Sequence, residues 1–146
     1  MFKKFLFLIT FSTALCAFDT RTHVYVGQEI LNDLQDGKLT IAPYGEFAVD
    51  PMIVSSIINN PSIFRMGTVG PDGYPDIAAG QVTAHPGLED GWKSDDWLKW
   101  VLVHAKSEEE LAFAYGYLSH ASADVFAHTY INMYSGDHFD LADEEE

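Results

Sequence analysis

Residues 107–134, SEEELAFAYGYLSHASADVFAHTYINMY, form one unbroken segment that is apolar on several sides when wound as a helix. Ser107 is placed to cap its start, and Glu108, Glu109 and Glu110 complement the positive end of the helix dipole. A helix wetted on so few faces has to be covered by others, so the segment predicts an all-α fold, a single helical-bundle domain with this helix at its centre.

The rest of the chain supplies the covering elements. Val24, Ile30, Leu31 and Leu34 recur with helical spacing, which predicts a first helix from His23 after Thr22 as N-cap, stopped by Gly37. Asp50 and Pro51 open a second, short helix that ends at the Asn59-Asn60-Pro61 run. Ser94, Asp95 and Asp96 cap a further helix reaching about Lys106, with Trp97, Trp100 and Val101 on one face. Between these, residues 64–91 are rich in Gly and Pro and without sustained period, which predicts a long irregular loop of the kind that carries function. A hydrophobic content of 47% against 21% charged residues is enough for one substantial core in a chain of 146 residues. No internal repeat is visible.

The N-terminus reads as an address. Lys3 and Lys4 precede an apolar run and then small residues up to Ala17, so residues 1–17 are expected to be a signal peptide, residues 18–146 the domain, and the mature protein secreted or periplasmic. The run is too short for a comfortable membrane span. Cys16 is the one cysteine, and the bulk of Leu15 before it argues against lipid attachment there. Once it is removed, no disulfide can form and any metal must be held by nitrogen and oxygen. The net charge of −14 becomes two units more negative with the loss of the two lysines, a field that repels long nucleic acid. Most of the carboxylates serve solubility, including the run Glu144-Glu145-Glu146.

Three polar residues stand apart from that surface. His120, Asp124 and His128 follow one another at four-residue steps, each turning about 40° further round the helix, so they share a stripe. Polar side chains on a buried helix commonly just hydrogen-bond to neighbours. Here, however, a carboxylate between two imidazoles among Ala, Phe, Tyr and Leu would be costly to bury without a cation. His120 and His128 are about 12 Å apart along the axis, too far for one ion at bond lengths near 2 Å, so Asp124 serves two ions or one alone. Histidine and oxygen ligands without thiolate point to zinc. Asp72 and His85 in the loop and His23 on the first helix are candidate partners. Asp76 could replace Asp72, His104 reads as structural, and His138 is undecided.

With Thr22-His23, Gly70-Pro71-Asp72, His85 and above all SHASADVFAH at residues 119–128 in view, the chain resembles the zinc-dependent phospholipase C family through nearly all of its mature length. Within that family it is most similar to the branch containing the N-terminal domain of glycosylphosphatidylinositol-specific phospholipase D, because His128 follows Asp124 by four residues rather than six. The resemblance implies a helical protein holding up to three zinc ions. Asp72, His85, His120 and Asp124 would hold one zinc. His23, Asp124 as a bridge, and the amino group and carbonyl of Phe18 would hold its neighbour, and His128 would contribute to the third. It implies hydrolysis of a phosphodiester, phospholipid foremost, with transient membrane-surface contact and Asp72 as the catalytic base. The family completes its third site with a further histidine and a carboxylate four residues on. His138 is followed at that spacing by Ala142, so the remaining ligands are expected beyond Glu146 and residues 18–146 alone to be inactive.

Two other readings keep the fold. One is a zinc-dependent single-strand nuclease, disfavoured by the acidic charge and the histidine spacing; the other is a non-catalytic zinc-binding interaction protein.

Overall fold

The computed structural model describes residues 20–73 and 94–127, with Tyr130 and Tyr134. Helix α1 (Thr20–Asp33) buries His23, Gly27 and Leu31, one residue per turn on a single stripe, and so faces the core with that edge. It begins at or before Thr20, which places Thr22 inside the helix rather than at its cap. A 3₁₀ turn, Leu34–Asp36, closes it, and Gly37 at φ 82° reverses the chain as a left-handed stop.

A hairpin that sequence reasoning did not anticipate comes next. Strands β1 (Lys38–Ile41) and β2 (Gly45–Ala48) pair antiparallel, with Lys38 opposite Ala48 and Ile41 opposite Gly45. The hairpin is tied to α1 by Asp33, whose carboxylate accepts from the Thr40 backbone N–H at 2.6 Å and from its hydroxyl at 2.9 Å. Pro43-Tyr44-Gly45, flanked by Leu39 and Ile41 on one side and Phe47 and Val49 on the other, was the available turn signal.

Helix α2 (Pro51–Asn59) starts as expected, the Asp50 side chain accepting from the Met52 N–H at 2.8 Å. It also ends as expected, at Asn59 before Asn60 and Pro61, and what is corrected is the start of the loop. Helix α3 (Pro61–Val69) occupies the first residues assigned to the loop. Proline has no N–H to lose in a first turn and its fixed φ suits one, so the same residue that ends α2 starts α3. A 3₁₀ turn, Gly70–Gly73, follows.

Helix α4 (Ser94–His104) leads to the long helix α5 (Glu108–Phe126). Ser107 and Glu110 form a reciprocal cap, each side chain receiving the other's backbone N–H at 3.2 Å. The continuous α-helix runs to Phe126, Ala127 and Tyr130 lie in wider, π-type turns, and Tyr134, where the helix was expected to end, is again α-helical. As its composition demanded, α5 is central and packs against α1, α2, α3 and α4. The core joins Leu31, Leu34, Ile57, Phe64 and Ala112. Among the described residues no helix is long and apolar enough to cross a membrane.

The crossing of α3 and α5 positions everything that follows. A methyl group on Gly67 would collide with the Phe113 carbonyl, and one on Gly116 with that of Phe64; each would also lie within 3.0 Å of the other glycine's Cα. The two backbones touch because neither residue has a side chain. Val69 and the residues before it are thereby held directly against the turn of α5 that carries His120.

Candidate metal centre

His23 comes from the inward stripe of α1, His120 and Asp124 from successive turns of α5, and the three meet between the helices. His23 and His120 are each 1% exposed, so both imidazoles are taken fully out of water. The carboxylate of Asp124 divides between them: Oδ1 is 3.1 Å from His23 Nε2, and Oδ2 is 3.0 Å from His120 Nε2. The rings stack with centroids 4.0 Å apart and planes inclined by 28°. One ligand atom from each of the three lies within 4.8 Å of the others.

The orientation of His120 is set from behind. Its Nδ1 donates to the Thr68 carbonyl at 3.0 Å, since a carbonyl can only accept, and this leaves Nε2 as the nitrogen turned to Asp124. Beneath the ring runs Gly70, at φ +56°, where a Cβ would stand 2.8 Å from His120 Cγ. Both the left-handed backbone and the close approach call for glycine. Burial, the largest influence on the His120 pKa, pulls it down. The hydrogen bond and charge of Asp124, the Thr68 carbonyl and the charge of Asp72 together outweigh burial and raise it above 6.5.

Asp72 is half-buried in the turn after α3, near enough for its charge to act on His120, though outside the three-residue group. His104 is exposed, with Nδ1 on the Trp100 carbonyl at 2.8 Å and its ring stacked on Trp100 at 4.1 Å, which agrees with a structural role. Phe18, Asp76, His85, His128 and His138 lie outside the described residues, as do Tyr74 and Trp92. Sequence reasoning passed over Thr68 and Gly27, and took Gly70 only as part of the Gly70-Pro71-Asp72 motif. Their part is played by a carbonyl and by missing side chains, for which the one available signal was the density of glycine around residues 67–73.

Two imidazole nitrogens and a carboxylate, converging in a buried site, form a donor set suited to zinc. The model of a protein family described as zinc dependent phospholipase C matches residues 22–141, which include His23, Asp72, His120 and Asp124. The chain belongs to this family. No curated protein and no solved structure matches it. In this zinc-dependent phospholipase C family member, the first and last described helices supply the candidate ligands and α3 supplies their support.

Proposed function

We propose that the chain is an exported zinc-dependent phosphodiester hydrolase acting on phospholipid, with more than one zinc ion gathered around Asp124. The observation that carries this reading is the division of the Asp124 carboxylate, one oxygen toward each of two buried histidines on different helices. A carboxylate so placed is suited to bridge two ions, His23 holding one and His120 the other. Asp72 and His85 would complete the His120 ion. The amino group and carbonyl of Phe18, exposed when residues 1–17 are removed, would complete the His23 ion, and His128 would serve a third. In this reading residues 18–146 are the N-terminal portion of one domain, of the branch that includes glycosylphosphatidylinositol-specific phospholipase D.

Bound zinc supplies a concentrated positive charge that acidifies water and offsets charge developing on phosphoryl oxygens. The chain's own residues do the rest. Asp72 takes the proton of the attacking water, His23 and His120 present Nε2 toward Asp124, and Asp124 fixes the spacing between them. An apolar cavity of about 390 Å³, lined by Met66, Val69, Trp97, Val101, Phe113 and Tyr117, opens beside Gly70 and hence next to His120. It suits the hydrocarbon part of a lipid better than a sugar or a base. The net charge of −14 argues in the same direction, against a nucleic-acid substrate.

The test is direct. The protein, expressed with its signal peptide and natural C-terminus, should contain zinc by elemental analysis and release phosphorylated product from phosphatidylcholine vesicles, with no cleavage of denatured DNA. A zinc-free product would sink the proposal. Zinc with DNA cleavage would replace it by the nuclease reading, and zinc without either activity by a binding role.

A further inference from the structure

We infer that Thr68 is the positioning residue of the metal centre, holding both histidines at once, so that metal affinity depends on the contact between its side chain and Gly27. The inference rests on the zinc reading above and deepens it. Thr68 is fully buried. Its carbonyl receives Nδ1 of His120 at 3.0 Å and sets that ring's orientation. Its side chain points the other way, onto α1. A Cβ on Gly27 would stand 2.7 Å from Thr68 Cγ2 and 3.2 Å from Oγ1, so the threonine fills the space that the glycine leaves open.

Gly27 lies one turn beyond His23 on the same inward stripe of α1. Thr68 therefore fixes the depth at which α1 sits, and with it the approach of His23 to Asp124, while its carbonyl fixes His120. The threonine itself has little freedom: its hydroxyl donates to the Arg65 carbonyl at 2.8 Å, and the preceding Gly67 is locked against Gly116. The reach of α1 is reinforced by Arg65, whose guanidinium donates to the Gln28 side chain at 2.8 Å, next to Gly27. Ligand spacing in such a centre tolerates errors of only a few tenths of an ångström, so a shift of α1 would be read out as weaker binding.

A double-mutant cycle on the full chain tests this, using zinc affinity by chelator competition and the visible absorption of the cobalt-substituted protein. Thr68→Ala opens a gap and Gly27→Ala creates a clash, and each should weaken zinc binding about tenfold and alter the cobalt bands. The double variant, in which the new methyl occupies the vacated space, should return to within about threefold of wild type, with helix content by circular dichroism equal across the set. Two single variants with wild-type affinity and spectrum, or a double variant no tighter than Thr68→Ala, would overturn the inference. Should Gly27→Ala alone fail to fold, the comparison of the double variant with Thr68→Ala still decides. A wild-type chain that binds neither zinc nor cobalt overturns the zinc reading as well; a wild-type chain that binds both while the cycle shows no coupling overturns this inference alone.

Discussion

His23 Nε2, on the first helix, stands 3.1 Å from Asp124 Oδ1, on the last described one. No local segment of the chain contains this pair; it exists only when α1 and α5 are docked in register. The contact is therefore a report on tertiary structure as much as a feature of a site.

Asp124→Asn should leave the fold intact and remove the binding of metal. An amide keeps the shape but offers one oxygen in place of two and no charge. Zinc affinity is expected to fall by about 100-fold or more, read by chelator competition. In the metal-free variant the imidazole of His120 loses one of the influences that raise its pKa, so its titration by proton NMR should move to lower pH than in wild type.

The metal-free and zinc-loaded proteins should respond to pH in opposite directions. Without metal, His120 has its pKa raised above 6.5 in the fold. The native state then binds a proton more tightly than the unfolded chain does. The stability this contributes is fully present below 6.5 and is lost as pH rises through the folded value. Zinc requires the deprotonated ring, so its affinity rises over the same interval. Urea midpoints of the zinc-free protein, compared with those of His120→Gln, should fall as the pH is raised through this window, while chelator competition gives tighter zinc binding.

Asp72→Asn touches both roles proposed for this aspartate, zinc ligand and base, so zinc content is measured alongside turnover. If the aspartate receives the proton of the attacking water, the variant should lose about 100-fold or more of phosphatidylcholine hydrolysis, the loss lying in kcat, while keeping near-normal helix content. A variant that retained wild-type turnover would remove Asp72 from the reaction.

Much of this was legible in the sequence, for reasons that differ between elements. The α5 helix announced itself through its cap at Ser107 and its four-residue spacing of His120 and Asp124, both of them local signals. Asp50-Pro51 likewise marked the start of α2. Pro61 marked the end of α2 correctly, but the same proline also starts α3, and that second role was missed because the apolar face of α3 is covered only by packing against α5. The hairpin at residues 38–48 was hidden by its brevity, because the alternation of Leu39 with Ile41 and of Phe47 with Val49 is only two residues long on each side of the turn. His23 could be named as a candidate, but its partner could not be fixed without the fold. Thr68 was beyond reach, because a backbone carbonyl carries no sequence signature.

Gly116→Ala should be among the most damaging single-methyl changes in the chain. The added carbon has no route of escape, being opposed by the Phe64 carbonyl and the Gly67 Cα on the partner helix. Overpacking of this kind costs about 3 kcal/mol or more, against about 1 kcal/mol for Gly37→Ala, where the left-handed φ of 82° is strained but open space surrounds the residue. Urea denaturation of the two variants side by side measures the difference.

The glycine pair at the α3–α5 crossing also bears on how the centre would meet its ion. Side chains at a helix contact can exchange rotamers, and the distance between axes breathes with them; a contact of Cα on Cα has no such internal coordinate. Where Gly67 rests on Gly116, the separation of the helices is as stiff as the peptide backbone itself. Thr68, the next residue, carries that stiffness to His120 through a single carbonyl. An arriving ion would then encounter a frame already set, and the entropy of ordering this histidine would have been spent when the chain folded.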